Sequence, residues 1–470
     1  MPNIDTGDTA WVLASTALVL FMTPGLAFFY GGMVRAKHVL AMLMQNFFAM
    51  GIVTVLWVLF GYSLAFGGAG NGGLIGNFDF IGLTDMTGAV SGTIPTMVFS
   101  AFQLTFAVIT PALITGAIAD RMRWAAWVGF IALWSILVYL PVAHWVFAGG
   151  WLAARGALDF AGGTVVHVNA GAGALALILL MGKRKGWPNS AMPPHSLPLT
   201  LLGTGILWFG WFGFNAGSAL AANHVAGQAF MNTFVAAGAA MLGWLAIERF
   251  KAGHATTLGA ASGAVAGLVA ITPCAGFVNA FAALIIGFLA GIICFLAIGL
   301  KFRFGYDDAL DVIAVHLVGG ALGSILLGFF ADAGVNSAGK NGVFFGGGWS
   351  LLGEQVIAVV AVGVFSFVVS LVIGLVLKAV LPKGIRVSDD EEDRGLDVTQ
   401  HSETGYSLEL VSLSISSSGR TGRVPSRSVS EQERTAGTPD IPLMIRGACI
   451  VLMILGVSGA LFSLQVVVDP

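Results

Sequence analysis

Charged side chains are scarce in this 470-residue sequence. Asp, Glu, Lys and Arg together make up 10% of it, whereas a soluble domain carries about 25%. Hydrophobic residues reach 57%, and the mean hydropathy is +0.88. A chain this apolar belongs in a lipid bilayer, which excludes the water-soluble classes. The apolar runs lack the two-residue alternation of outer-membrane barrel strands, so they predict an all-α membrane protein.

Several chemical groupings are also missing. The three cysteines, Cys274, Cys294 and Cys449, are scattered and form neither a metal-binding spacing nor a disulfide framework. No nucleophile lies near a candidate base in a recognisable pattern. With a net charge of -2 and no basic cluster, the chain does not resemble a nucleic-acid binder. We therefore expect no metal, no cofactor, no nucleic-acid partner and no enzymatic activity.

Long apolar runs are abundant. Because about 20 apolar residues cross a bilayer, the sequence predicts eleven membrane-spanning helices. They lie at about 9–30, 40–66, 96–119, 124–145, 163–181, 199–219, 228–247, 257–272, 280–300, 311–330 and 353–380.

The basic residues collect in alternate loops. One set of loops holds thirteen, whereas the other holds only Arg155 and Lys340. Loops rich in Lys and Arg stay in the cytoplasm, which predicts an external N-terminus and a cytoplasmic residue 386. The thirteen are Arg35, Lys37, Arg121, Arg123, Lys183, Arg184, Lys185, Arg249, Lys251, Lys301, Arg303, Lys383 and Arg386.

Composition changes abruptly after the eleventh helix, so we divide the chain into 1–386, 387–440 and 441–470. The second region is first acidic and then rich in Ser, Thr and Arg, which predicts a cytoplasmic tail and flexible linker. The last region contains an uncharged run of 22 residues at 447–468. Its length suits a twelfth membrane helix. An interfacial or partner-docked helix is the alternative.

Two histidines, His167 and His316, lie inside apolar segments. A buried imidazole in a membrane span is costly, and its presence indicates a functional site; the alternative is a core histidine bonded to a backbone carbonyl. VHVNAGAGAL and VHLVGGALGS both place the histidine ahead of small residues, and each follows an acid, Asp159 or Asp311. Five helices plus five helices in an inverted repeat, plus one, would account for this match. Such a pair of histidines suggests transport of a substrate that can gain or lose a proton.

Other candidate residues flank these segments. Phe102 and Phe106 are four apart on one helix face, as are Phe214 and Ser218. A phenylalanine ring can attract a desolvated cation or exclude water, although simple packing remains the alternative. Asp159 precedes the fifth helix, where a carboxylate caps free N–H groups. Direct contact between Asp159 and a cation is the second interpretation.

Together these segments resemble the ammonium transporter (Amt/Mep/Rh) family. DFAGGTVVHVNAGAGAL at 159–175 is similar to the family signature. FQLTFAVITPALITGAIADR, GWFGFNAGSA, GAASGAVAGLVAITP, DDALDVIAVHLVGG and the tail GIRVSDDEEDRGLDVTQHSETGY follow in the family's order. The resemblance covers about 8–406 and favours the Amt branch.

The resemblance implies a fold of eleven helices in an inverted repeat, an external N-terminus and a homotrimer with one pore per subunit. It also implies ammonium recruitment at an aromatic vestibule, deprotonation, and passage of ammonia along a hydrophobic pore. By motif, it assigns the pore histidines to His167 and His316, the gate to Phe106 and Phe214, recruitment to Phe102, Phe147 and Ser218, and a structural role near the site to Asp159.

One position departs from the family pattern. Phe147 stands where the family usually has Trp, the better cation–π partner, so we expect weaker ammonium capture. The family also implies a PII-type signalling protein as a possible partner at the cytoplasmic tail. Two alternatives remain open: an ammonium sensor that signals through its C-terminal tail, and an Rh-like channel for ammonia or carbon dioxide.

Overall fold

The computed structural model describes residues 4–68, 73–84 and 86–406. The predicted linker beyond 406 and the possible twelfth helix at 447–468 lie outside these residues.

Eleven helical segments occupy the positions predicted from hydropathy. Within the described residues, ten are long and apolar enough to cross a membrane, and the eighth is a shorter helix of 15 residues. This confirms the predicted class of all-α membrane protein. The segments, numbered here as the first to the eleventh span, are Thr6–Met33, Ala36–Phe66, Thr96–Ile118, Trp124–Arg155, Gly163–Met181, Leu197–Ala219, His224–Ala252, Thr257–Ile271, Ala280–Phe304, Ile313–Phe330 and Ser350–Val380.

Polar side chains fix where several spans begin. Asp5, Ser196, Asn223, Thr256 and Asn279 each accept a hydrogen bond from the backbone N–H three residues on, which satisfies a donor that the first helical turn leaves free. Glycines with positive φ end three spans: Gly182, Gly253 and Gly305. The connections between spans also contain an antiparallel pair of short strands, β1 (Val90–Ser91) and β2 (Ile94–Pro95).

The fifth and tenth spans share an unusual beginning. Each opens with a widened π-helical turn, Gly163–Val168 in one and Ile313–Val318 in the other, and each turn carries one of the two histidines. Ordinary α-helix then continues as Asn169–Met181 and Gly319–Phe330. The matching irregularity, five spans apart, fits the predicted inverted repeat.

Glycines allow these two spans to cross at close range. A Cβ atom added at Gly320 would lie 2.8 Å from the Cβ of His167, and one added at Gly171 would lie 2.6 Å from the Cβ of Leu317. Small residues permit such close approach between membrane helices. The crossing brings both histidines to the centre of the helical unit.

Residues 387–406 pack against the helical unit as two short helices, Asp389–Arg394 and Leu396–His401. The compact unit that contains the spans ends at Tyr406. The two short helices lie against the loops rich in Lys and Arg around 34–38, 119–123 and 182–196. We call this side of the molecule the tail face. We call the opposite side, around 148–162 and 217–222, the vestibule face, after the cavity that it contains.

Candidate functional site

The two histidines meet in the interior. His167 and His316 are 1% and 3% exposed, and their Nδ1 atoms lie 3.2 Å apart. The rings are nearly parallel, at 19°, with centroids 5.3 Å apart. Because a neutral imidazole has one donor and one acceptor nitrogen, this contact requires one Nδ1 to donate and the other to accept.

Tyr30, which the sequence argument missed, extends this pair toward the tail face. Its hydroxyl lies 3.2 Å from the Leu113 carbonyl and 3.4 Å from Nε2 of His316. If the hydroxyl donates to Leu113, His316 carries its proton on Nε2 and accepts at Nδ1. His167 then donates from Nδ1, and its Nε2 is left with a free lone pair. That Nε2 has no hydrogen-bond partner among the described residues.

The histidines lie on the wall of a narrow cavity, which we call the inner chamber. Its volume of about 10 Å³ corresponds to roughly one water-sized molecule. Apart from the two imidazoles, its wall is apolar or aromatic, and the indole N–H of Trp211 is already bonded to Thr272. The lining residues are Met22, Leu26, Phe29, Ile109, Leu113, Val166, His167, Leu207, Trp211, Phe214, Val265 and His316.

Two phenylalanines separate this chamber from a second cavity. Phe106 and Phe214 pack with ring centroids 4.4 Å apart, and each is 1% exposed. Phe214 lines the inner chamber, whereas Phe106 lines the second cavity. A molecule passing between the cavities must displace both rings, so the pair is placed to act as a gate.

The second cavity, which we call the vestibule, has a volume of about 210 Å³. It brings together Phe106, Phe147, Asp159 and Ser218, which the sequence argument had singled out. The Ser218 hydroxyl donates to the Phe214 carbonyl at 2.8 Å, so its oxygen can still accept a hydrogen bond. The full lining is Phe99, Gln103, Phe106, Val146, Phe147, Asp159, Phe160, Ser218 and Leu220.

Phe102 differs from the other candidates because it does not line the vestibule. It is fully buried and packs edge-on against Phe106, with ring centroids 5.0 Å apart at 72°. In this arrangement it supports the ring of Phe106. Phe99 and Gln103 line the vestibule instead. Their positions, seven and three residues before Phe106 on the same helix, were the available signal.

Asp159 joins the vestibule to the start of the fifth span. Its carboxylate accepts hydrogen bonds from the backbone N–H groups of Gly162, Gly163, Thr164 and Val165 at 2.7–3.3 Å. The Thr164 hydroxyl donates a fifth. A carboxylate held by so many donors stabilises the turn that carries the histidine.

The acid equivalent to Asp159 in the second half is Asp308, not Asp311. Asp159 and Asp308 each lie eight residues before a histidine, and Asp308 accepts from the Ile313 N–H at 2.7 Å, at the start of the tenth span. Asp311 instead pairs with Lys301. Burial and the nearby Asp311 raise the pKa of Asp308 to about 7. The shared eight-residue spacing was the available signal for Asp308, which the choice of the acid nearer to His316 overlooked.

Comparison with known proteins now decides the family. The sequence profile described as the Ammonium Transporter Family matches residues 10–406. The chain belongs to the ammonium transporter family. An ammonium transporter of Mycobacterium tuberculosis (strain H37Rv) is 52% identical over 443 residues, covering 87% of this chain and 92% of that protein. The crystal structure of Candida albicans Mep2 has a TM-score of 0.78 at 37% identity, covering 83% of this chain and 88% of that one.

A further solved structure, described as a sensor Amt protein, is similar over 84% of this chain and 98% of its own, with a TM-score of 0.78 at 30% identity. Members of the ammonium transporter family are multi-pass membrane proteins that carry ammonium. Ammonium transport is therefore the function that membership of this family supports for the chain.

On the tail face of this ammonium transporter, buried charges join the loops to one another. Arg184 donates to both carboxylate oxygens of Asp307 at 2.9 and 2.8 Å, and Arg35 donates to Asp120 at 3.0 Å. Burial opposes ionisation of Asp307, but the hydrogen bonds from Arg184 hold the pKa of that carboxyl below its usual value. These pairs fix the loops on which the tail packs.

The tail itself is held by its acidic residues. Arg123 donates to both oxygens of Glu391 at 3.0 and 2.9 Å, and Arg386 donates to Glu392 at 2.9 Å. Burial would raise the pKa of Glu391, but hydrogen bonds from Arg123 and from the Ser388 backbone lower it to about 2. The acidic segment is therefore ordered by the basic loops, which sequence composition did not reveal.

Proposed function

We propose that this ammonium transporter recruits ammonium in the vestibule, removes its proton near Phe106 and Phe214, and passes neutral ammonia through the inner chamber along His167 and His316. The observation that carries this proposal is the inner chamber. It holds about one small molecule. Among the side chains that line it, the one hydrogen-bonding group left free is the lone pair on Nε2 of His167.

The energetics favour a neutral species in such a chamber. Moving an unpaired ion from water into a medium of low dielectric constant costs tens of kcal/mol by idealised estimates. Two neutral imidazoles cannot replace a complete hydration shell. Ammonium can release a proton and become uncharged, which potassium cannot do. Once neutral, ammonia can donate a hydrogen bond to a free imidazole lone pair, such as that of Nε2 in His167.

The charge distribution supports an orientation for this transport. Arg123, Arg184 and Arg386 lie on the tail face, and by the positive-inside rule this side is cytoplasmic. The vestibule and the N-terminus then face outward, so ammonium enters at the vestibule. We place the protein in the cell membrane because the family resemblance implies it.

Alanine variants of the two histidines test the proposal. In liposomes, His167→Ala and His316→Ala should each lower the ammonium-driven flux by about tenfold, because losing one hydrogen bond in a dry site costs about 1–3 kcal/mol. His144→Ala is the matched control. This buried histidine bonds to the Ala65 carbonyl at 2.9 Å, outside both cavities, and its variant should keep the flux within twofold. Equal flux in all four proteins would refute a conducting role for the pair.

A second candidate function is ammonium sensing through the C-terminal tail. The similarity to a sensor Amt protein at 30% identity supports it, as does the packing of residues 387–406 on the loops between spans. Growth of an uptake-deficient strain on low ammonium distinguishes the two functions. Rescue by this chain favours transport, whereas ammonium binding without rescue or flux favours sensing.

Assembly as a homotrimer is part of the proposal. Large apolar side chains are exposed along the first, sixth, seventh and ninth spans, including Phe21, Phe209, Phe234 and Phe281. Lipid or neighbouring subunits would cover them, and the family resemblance favours neighbouring subunits in a trimer with one pore each. A PII-type protein at the cytoplasmic face is a possible regulatory partner on the same resemblance.

A further inference from the structure

Gln103 is a buried amide in the vestibule wall to which no role has been assigned. It lies on the third span, three residues before Phe106, and is 8% exposed. It lines the vestibule together with Phe147, Asp159 and Ser218. Among the residues that the structure describes, its Oε1 atom has no hydrogen-bond partner. Buried polar atoms nearly always have a partner, so this one needs an explanation.

The other polar groups in the vestibule leave a gap that Gln103 can fill. The Asp159 carboxylate is occupied by five donors from the start of the fifth span. Ser218 donates its proton to the Phe214 carbonyl and keeps an oxygen that accepts. Ser218 and Gln103 are therefore the two lining side chains that can still accept a hydrogen bond from a bound donor.

Ammonium matches this arrangement chemically. It carries four N–H donors and a positive charge, so it needs acceptors as well as aromatic faces. We propose that the Gln103 amide oxygen accepts a hydrogen bond from ammonium in the vestibule and thereby sets the affinity of capture. Rotation by 180° about the terminal side-chain torsion interchanges the amide oxygen and nitrogen, so the oxygen can occupy either site. The inference rests on the proposed recruitment of ammonium at the vestibule.

The acceptor has particular value in this chain because the aromatic side chains that line the vestibule, Phe147 among them, are phenylalanines. A phenylalanine ring attracts a cation less strongly than an indole does. A dipole such as the Gln103 carbonyl then supplies a larger share of the capture energy.

Substitutions at Gln103 test the inference through the half-saturation concentration for ammonium. Gln103→Leu removes the acceptor at nearly constant volume and should raise that concentration about tenfold, which corresponds to about 1.4 kcal/mol, while the maximal flux stays within twofold. Gln103→Glu has the same length and keeps an acceptor oxygen whether or not it is protonated. It should restore half-saturation to the wild-type value or below.

The matched control is Gln228→Leu. Gln228 is half-buried on the seventh span, donates to Asn232 on its own helix, and does not line the vestibule. This control should behave as wild type. An unchanged half-saturation in Gln103→Leu would overturn the inference, as would equal loss in Gln103→Leu and Gln103→Glu. In either case an intact wild-type flux would leave the proposed function standing, whereas absence of wild-type flux would refute the proposed function itself.

Discussion

Removing the Asp159 carboxylate should disturb the pore more than any other single polar substitution at a helix start. Asp159→Ala leaves four backbone N–H groups and the Thr164 hydroxyl without their acceptor. All of these donors except the Gly162 N–H belong to the turn Gly163–Val168, which carries His167. The change therefore acts on the position of one pore histidine although the carboxylate does not line the inner chamber.

The magnitude follows from the number of bonds lost. Each hydrogen bond to a charged group contributes about 1.5–3 kcal/mol, but five bonds to one carboxylate are not additive. We expect Asp159→Ala to cost about 3–5 kcal/mol of stability, well above the usual loss of about 0.5–2 kcal/mol for an N-cap. Asp159→Asn keeps one acceptor oxygen and should cost about half as much.

Asp308→Ala provides the comparison from the other half of the repeat. Among the described residues, Asp308 accepts one backbone hydrogen bond, from Ile313, and its Oδ1 has no partner. Removing a buried carboxylate that is only partly satisfied should cost less.

Thermal unfolding in detergent and ammonium flux in liposomes measure both effects. The apparent melting temperature should fall by roughly 5 °C in Asp159→Ala, with at least tenfold lower flux, and by less in Asp308→Ala. Equal melting temperatures for Asp159→Ala and wild type, with equal flux, would refute the reasoning.

Three further predictions concern the vestibule and the tail. Phe147→Trp should lower the half-saturation concentration for ammonium about threefold, since an indole binds cations better by about 0.5–1 kcal/mol; an unchanged or higher value in flux assays would contradict this. The folded-state pKa of Glu391 is about 2. Its pairing with Arg123 therefore stabilises tail docking fully above the ordinary glutamate pKa, and this stabilisation is lost as the pH falls from the ordinary glutamate pKa toward 2. The mobility of a nitroxide attached through Thr404→Cys should accordingly rise over that interval, and should already be high at neutral pH in Arg123→Ala. Ser402 has a φ of +58°, so Ser402→Gly should relieve backbone strain and stabilise the docked tail by about 1 kcal/mol. The same nitroxide should become less mobile, and greater mobility would exclude strain at Ser402.

The spans could be predicted from the sequence because bilayer thickness imposes a length rule that tertiary packing does not change. Even the 15-residue helix Thr257–Ile271 was located, although it is short for a span. The pairing of His167 with His316 followed from internal repetition.

Other features depend on contacts between distant segments, which local patterns do not encode. In the sequence, Gln103 is one of many residues in an apolar helix. Only the folded structure shows that it lines the same cavity as Phe147 and Ser218. Tyr30 reaches His316 across 286 positions of sequence. The order of residues 387–406 depends on Arg123, which lies 268 positions before Glu391. The composition of that segment shows that it is acidic, but it does not show which basic residues bind it.

The central claim is that the substrate loses its charge before it enters the inner chamber. The most direct test compares ammonium with potassium in one liposome preparation of the full chain, by recording transport currents together with internal pH. We predict ammonium-dependent transport and no potassium current above protein-free liposomes. A potassium current comparable to the ammonium signal would contradict the claim, because potassium has no neutral form that could cross a chamber lined by apolar and aromatic side chains and two imidazoles.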